Sequence, residues 1–117
     1  MVIQNALASI AVRDLDAAIR WYEEVLESPP ATPMPEVAGW QFPRGGALQV
    51  YREPERAGEG SCTLAVDDLG EIGRRLEALG IDTSQRASND AVATLMVADP
   101  DGNHLAFAKA HDPRLAS

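Results

Sequence analysis

Few side chains in this chain could do acid–base or nucleophilic chemistry. His104 lies within a predicted strand, and histidine is the side chain that most often serves as a general base. No acid or nucleophile is paired with it by spacing, so an exposed histidine at a sheet edge is the alternative interpretation. Cys62 sits in an apolar strand pattern without a nearby histidine or acid, which favours a buried thiol over a reactive one. We therefore predict no catalytic residue, with His104 as the candidate if there is one.

Two carboxylates, Asp99 and Asp101, form a pair at close spacing. They flank Pro100 and precede Gly102, which is typical of a tight turn in which aspartates accept hydrogen bonds from nearby backbone N–H groups. We interpret them as turn formers and not as an acid–base pair.

Polar and aromatic side chains instead indicate a binding surface. Because successive residues of a strand point to opposite faces, residues two apart share a face. We predict a lining that is mostly small and apolar, made of Leu7, Ser9, Ala11, Gln49, Tyr51, Ser61, Thr63, His104, Ala106 and Ala108. Such a lining suits an organic molecule held by shape and a few hydrogen bonds. The predicted ligand-binding residues are Trp40, Gln49, Tyr51, Ser61, Thr63 and His104.

Trp40 has two interpretations at this stage. It is either an aromatic wall of the binding surface, facing a ring or a cation, or a core residue between sheet and helix.

The elements that position these residues occur twice along the chain. Residues 9–15 (SIAVRDL) recur 54 positions later as residues 63–69 (TLAVDDL), and residues 43–50 recur 57 positions later as residues 100–107. One copy of about 50 residues cannot bury its own apolar face well, so we expect two copies to pack around a shared cleft. The predicted boundaries are module 1 at 1–53, a linker at 54–60, module 2 at 61–110 and a tail at 111–117.

Hydrophobic periodicity predicts the same order of elements in both copies. In the first copy, Asp14 caps a helix that ends at residues 28–30, and the predicted strands are 5–12, 37–42 and 47–52. The Pro-rich run up to Pro35 is predicted as a loop, in which a short extra strand would complete a βαβββ order. In the second copy, Asp68 caps a helix closed by Gly80, and the predicted strands are 61–66, 81–86, 91–98 and 104–109.

Composition limits the classes of partner. The 117 residues are 45% hydrophobic and 24% charged, as in an ordinary globular domain, with a net charge of −8. That charge repels nucleic acids and anionic membranes and favours a cationic ligand, so we expect neither nucleic acid nor membrane as a partner. A single cysteine and a first stretch without a basic, apolar leader pattern favour a cytoplasmic location.

Residues 12–22 (VRDLDAAIRWY) and 99–103 (DPDGN), within the repeated pattern, resemble the vicinal oxygen chelate superfamily. This superfamily includes glyoxalase I, the extradiol dioxygenases and the bleomycin-binding resistance proteins. The resemblance covers about residues 5–110 and implies an α+β fold of two tandem βαβββ modules, with curled mixed sheets around a shared cleft. It implies fold more strongly than function, because such folds host several activities.

The resemblance also implies where a metal would lie. Enzymes of this superfamily usually hold a divalent metal with four side chains drawn from His, Glu and Gln, and the matching positions here are Leu7, Gln49, Ser61 and Ala106. One amide and one hydroxyl do not supply the three or four donors that such an ion requires. His104 shares a strand face with Ala106 but adds a single imidazole. We predict no metal and no other cofactor.

The predicted function is metal-independent binding or sequestration of a small organic molecule, cationic or aromatic, in the manner of the bleomycin-binding resistance proteins. The resemblance to those proteins implies a homodimer. Two alternatives remain open. One is an enzyme, either a metal-independent lyase or isomerase using His104 or Tyr51 or a glyoxalase-like enzyme, and the other is a structural module whose cleft its own side chains fill.

Overall fold

The computed structural model describes residues 1–111 and contains two copies of the order βαβββ. The first copy comprises β1 (Leu7–Val12), α1 (Leu15–Leu26), β2 (Ala31–Met34), β3 (Val37–Gln41) and β4 (Ala47–Arg52). The second comprises β5 (Ser61–Ala65), α2 (Leu69–Ala78), β6 (Arg86–Ser88), β7 (Val92–Ala98) and β8 (His104–Ala110). The predicted α+β class and the tandem βαβββ order are confirmed, and the predicted tail beyond His111 lies outside the described residues.

Each copy forms its own four-stranded mixed sheet. The strand orders are β1-β4-β3-β2 and β5-β8-β7-β6, with the first and last strands of each copy parallel and the others antiparallel. The two registers are equivalent, because Leu7 pairs with Ala47 and Ser61 pairs with His104. These pairs are related by the same offsets, 54 and 57, that the sequence shows. The duplication therefore extends to the hydrogen-bond register of the sheets.

Both helices begin where the sequence predicts. The side chain of Asp14 accepts a hydrogen bond from the backbone N–H of Ala17, and that of Asp68 accepts one from Glu71. These bonds satisfy N–H groups that have no partner within the helix. At the end of α2, Gly80 takes a positive φ of 78° and its N–H bonds to the carbonyl of Glu77, which closes the helix as expected.

The Pro-rich segment contains β2, the short extra strand that completes the predicted βαβββ order. One strand differs from the predictions. The strand predicted over 81–86 is wrong in position, since β6 begins only at Arg86. The N–H of Ile81 bonds back to Leu76 at the helix end, and the N–H of Ser84 bonds to the side chain of Asp82. Residues 81–84 therefore form a connection without regular secondary structure.

The core of each sheet lies on the side that packs against its helix. In the first copy this side carries Ile10, Val12, Ala38, Trp40, Leu48 and Val50, and Tyr22 of α1 contacts Trp40 with ring centroids 5.9 Å apart. In the second copy it carries Leu95, Val97, Leu105 and Phe107, and α2, whose Leu76 is buried, packs against β7 and β8. The opposite side of each sheet, which we call its open face, carries most of the predicted binding residues.

Clustering of the chain by contacts gives two compact units. Among the described residues, the first consists of Met1–Gly60 together with Asp99–Asn103, and the second of Ser61–Ala98 together with residues 104–111. The turn between β7 and β8 therefore belongs by its contacts to the first unit. No helix within residues 1–111 is both long enough and apolar enough to cross a membrane.

Candidate functional site

The open face of the first sheet holds Gln49 and Tyr51 side by side on β4. Ser9 is the β1 register partner of Gln49, and its hydroxyl donates to the Gln49 amide oxygen at 3.5 Å, the outer limit of a hydrogen bond. Gln49 and Tyr51 are half-buried, and next to them Ala11 and Val37 are buried. This arrangement places an amide and a phenol beside a small apolar surface.

Trp40 does not lie with them. It is the register neighbour of Leu48 and shares the helix-facing side of the sheet, where it is 3% exposed. Its indole N–H donates to the carbonyl of Ser28 at 2.8 Å, so its polar atom is also satisfied within the fold. The structure therefore separates Trp40 from Gln49 and Tyr51, and its position is that of a core residue, the second of its two interpretations.

The open face of the second sheet holds the remaining predicted residues. Ser61 and His104 are register partners on the parallel strands β5 and β8, and all of Ser61, Thr63 and His104 are exposed. The next register pair on this face is Thr63 with Ala106, whose side chains are together smaller and less polar than those of Ser61 and His104. The structure thus brings together the second-copy residues predicted for this face.

Met96 is a residue of this face that the sequence analysis left out. It is the register partner of Ala106 and is 37% exposed. The alternation of β7 contained the signal, because Leu95 and Val97 are buried and Met96 between them must point the other way.

The four positions implied for a metal lie on the open faces. Leu7 and Gln49 lie on the first sheet, and Ser61 and Ala106 on the second. Their side chains offer one amide and one hydroxyl, a donor set that does not fit a divalent ion. Within residues 1–111 there is also no group of three or more His, Cys, Asp or Glu side chains placed to hold a metal.

The carboxylate of Asp99 is a turn former, as predicted, whereas that of Asp101 accepts hydrogen bonds from the backbone N–H and the guanidinium of Arg13. The backbone N–H groups of Asp101 and Asn103 both donate to Asp99 Oδ1, at 2.9 Å each. Asp99 is buried, and its Oδ2 accepts hydrogen bonds from the Tyr22 hydroxyl and the Asn103 side-chain amide. Cys62, the other candidate nucleophile, lies on β5 and is half-buried, so it is less enclosed than the predicted buried thiol.

A pocket of the first unit lies elsewhere on the molecule. Its volume is about 440 Å³, and it is lined by Arg13, Asp14, Leu15, Asp16, Pro35, Glu36 and Arg52. It contains none of the predicted binding residues. Its two guanidinium groups and three carboxylates favour neither an anion nor a cation, and Asp14 is already engaged in capping α1.

Comparison with known proteins identifies the architecture. Residues 8–108 match the model of the glyoxalase-like domain family. A crystal structure of a glyoxalase/bleomycin resistance protein from Catenulispora acidiphila is 32% identical, with a TM-score of 0.79 over 90% of this chain and 96% of that one. No curated protein matches the sequence.

More distant structures share the fold. A bleomycin resistance determinant encoded on the transposon Tn5 is 20% identical, with a TM-score of 0.73 over 94% of this chain and 100% of that one. The oxidase ChaP-H2 is 18% identical, with a TM-score of 0.77 over 93% of this chain and 94% of that one. A resistance determinant and an oxidase on one architecture show that the fold by itself does not decide the activity.

Proposed function

The chain belongs to the glyoxalase-like domain family of the vicinal oxygen chelate superfamily, and we propose that it binds a small organic molecule without a metal ion. One observation carries the proposal. The positions where relatives would hold a metal are occupied by Leu7, Gln49, Ser61 and Ala106, and this set has too few donors for one. A chain that keeps the family's fold without its metal ligands is suited to binding a small molecule without metal-dependent chemistry.

The first open face supports an organic ligand. Gln49 and Tyr51 are half-buried beside Ala11 and Val37, so a molecule there would cover apolar surface and meet an amide and a phenol. Ligand sites generally combine a mostly apolar lining with a few polar groups that fix orientation.

Charge and aromatic content favour a cationic over a large planar ligand. The net charge of −8 attracts cations, while the chain has only two residues each of Trp, Tyr and Phe. Trp40 is committed to the core, which leaves Tyr51 as the aromatic side chain of the first open face. The bleomycin resistance relatives make a cationic antibiotic of that kind the first probe.

The test is a ligand titration with a matched pair of variants. The purified chain is titrated with bleomycin and with simpler organic cations, with and without EDTA, and Tm is followed, because a ligand of the native state raises Tm. We expect a rise that EDTA does not change, that Gln49→Ala reduces, and that Gln85→Ala, the same change at an exposed loop position, leaves intact.

Two results would contradict the proposal. One is tight retention of zinc, nickel, iron or manganese through dialysis, with ligand binding that requires the metal. The other is an equal effect of both glutamine variants, which would remove the binding from the first open face.

We further propose that the chain is a homodimer, as the family resemblance implies, and that it is cytoplasmic, as its single cysteine favours. Light scattering behind size exclusion should give about twice the monomer mass, and a monomer across the micromolar range would contradict this.

A second candidate function is proton transfer by His104. Its imidazole and the Ser61 hydroxyl lie on neighbouring strands at the same register and on the same exposed face, so a hydroxyl stands next to a potential general base. The reaction to test is exchange, for solvent deuterium, of the proton on a carbon next to a carbonyl, followed by NMR over a panel of small carbonyl compounds. Catalysed exchange that His104→Gln abolishes and His111→Gln retains would support an enzyme, while no exchange above the buffer rate would exclude this role.

A further inference from the structure

The turn between β7 and β8, residues Asp99–Asn103, forms more hydrogen bonds to distant residues than a connecting turn requires. We call it the anchoring turn. Although β7 and β8 belong to the second sheet, these five residues cluster with Met1–Gly60. The first unit is therefore built from two separate stretches of the chain.

Asn103 makes the central contacts of the anchoring turn. It is 0% exposed, and its side-chain oxygen accepts hydrogen bonds from the backbone N–H groups of Gly58 and Gly60 at 3.0 and 2.9 Å. Its side-chain nitrogen donates to the carbonyl of Ala11 at 2.9 Å and to Asp99 Oδ2 at 2.8 Å. One amide thus satisfies backbone groups of both β1 and the segment that follows β4.

Asp99 extends the same network to the first helix. The hydroxyl of Tyr22, a fully buried residue of α1, donates to Asp99 Oδ2 at 2.7 Å. Arg13, at the end of β1, forms an ion pair with Asp101 at 3.1 Å. The anchoring turn is bonded to β1, to α1 and to residues 58–60.

Two glycines in the segment after β4, Gly58 and Gly60, lie close to the anchoring turn. Gly58 has a φ of +90°, and a Cβ atom there would lie 2.5 Å from the carbonyl oxygen of Asp101. A Cβ on Gly60 would lie 3.2 Å from the side-chain oxygen of Asn103. Residues with side chains would push the turn away, so the two glycines permit the close approach.

We infer that the first module cannot complete its fold until the β7–β8 hairpin has formed. Without the anchoring turn, the buried Ala11 carbonyl and the half-buried N–H groups of Gly58 and Gly60 would lose these hydrogen bonds, and the Tyr22 hydroxyl would lose its bond to Asp99. Each buried polar group left unpaired is destabilising. The turn takes its shape from the hairpin, since Ala98 pairs with His104 and the N–H of Asp99 bonds to the carbonyl of Asn103. The anchoring turn thereby couples the stability of the first module to that of the second.

Hydrogen exchange on the full chain tests this coupling. Phe107 is buried in the second sheet, and Phe107→Leu weakens that sheet without touching the anchoring turn. We expect it to lower the protection of amides in β5 and α2 by about tenfold and of amides in β1 and α1 by a similar factor. In the Asn103→Ala background, Phe107→Leu should still lower protection in β5 and α2, while the factor in β1 and α1 falls below about twofold.

Two results would overturn the inference. Phe107→Leu alone could leave protection in β1 and α1 unchanged, which would make the modules independent. It could instead lower that protection equally with and without Asn103, so that other contacts carry the coupling. If Asn103→Ala does not fold, the series is run with Tyr22→Phe, which removes one bond of the network, and in sucrose, which favours the folded state.

Discussion

The turn between β3 and β4 and the turn between β7 and β8 have the same backbone and different side chains. In the first, the N–H of Phe42 bonds to the carbonyl of Gly46, and in the second the N–H of Asp99 bonds to the carbonyl of Asn103. Both contain a proline at the second position and a glycine of positive φ at the fourth, Gly45 at 102° and Gly102 at 94°. The turn geometry was thus kept when the unit was duplicated.

The side chains at the ends of the two turns explain why only one of them is an anchor. Asp99 and Asn103 stand where the first copy has Phe42 and Gly46, a half-buried ring and a residue with no side chain. The first turn is largely exposed, while Asp99 and Asn103 are buried and bonded to the first unit. The two turns share their backbone geometry, and the difference lies in two polar residues, Asp99 and Asn103, whose side chains form a buried hydrogen-bond network in the second turn.

The open faces diverge in the same way. At equivalent register positions the first sheet has Gln49 and Tyr51 where the second has Ala106 and Ala108. Conversely, the second sheet has Ser61 and His104 where the first has Leu7 and Ala47. We therefore expect binding and proton-transfer chemistry, if both occur, to belong to different sheets.

Substitution at the fifth position of each turn should show the largest contrast. Asn103→Ala removes the bond to the buried Ala11 carbonyl and those to the half-buried N–H groups of Gly58 and Gly60, so we expect a loss of about 3–5 kcal/mol in the free energy of unfolding. Gly46→Ala should change it by less than about 0.5 kcal/mol, because a Cβ there meets nothing within 4 Å and φ is not positive. Urea denaturation of both variants measures the difference, and similar values would contradict the assigned role of the anchoring turn.

The second comparison is between two glycines of positive φ, Gly58 and Gly102. Replacement by alanine costs the same backbone strain at both positions, about 1–2 kcal/mol. Only at Gly58 does the new Cβ meet an atom, the carbonyl oxygen of Asp101 at 2.5 Å. We expect Gly58→Ala to be the more destabilising by about 2 kcal/mol, within the range for overpacked sites. Equal losses in the same denaturation series would mean that residues 58–60 yield easily and do not hold the turn.

The third comparison is between two tyrosine hydroxyls, that of Tyr22 in the buried network and that of Tyr51 on the first open face. Tyr22→Phe breaks a buried 2.7 Å bond to a carboxylate and should cost about 1.5–3 kcal/mol. Tyr51→Phe removes a hydroxyl from the half-buried open face and should cost less than about 0.5 kcal/mol while weakening ligand binding. Calorimetric Tm values of both variants provide the check, and a larger fall for Tyr51 would reverse the comparison.

The parts of the fold that depend on local chemistry were predictable from the sequence. Asp14 and Asp68 cap helices through bonds three residues away, and the repeat offsets of 54 and 57 are the ones that relate the two registers. Trp40 was ambiguous because alternation assigns faces within one strand and does not relate one strand to the next. The role of Asn103 was not predictable, because its partner Ala11 is 92 positions away and a turn motif carries no signal of what its side chains contact.

The smallest contrast concerns one ion pair from each unit. Arg13 Nη1 lies 3.1 Å from Asp101 Oδ1, and although the Arg13 side chain is 60% exposed, that of Asp101 is only 15% exposed. Arg86 Nη2 and Glu77 Oε1 are 3.8 Å apart, and both side chains are largely exposed. We expect Arg13→Gln to lower the free energy of unfolding by about 0.5–1 kcal/mol and Glu77→Gln by about 0–0.3 kcal/mol.

Salt provides the control for this last pair of variants. Exposed pairs are screened at high ionic strength, so the effect of Glu77→Gln should vanish in about 1 M NaCl. The effect of Arg13→Gln should persist in part, because Asp101 is mostly buried within the anchoring turn and keeps its need for a partner. If salt abolished both effects equally, the Arg13–Asp101 contact would be an ordinary surface pair, and the anchoring would depend on Asp99 and Asn103 alone.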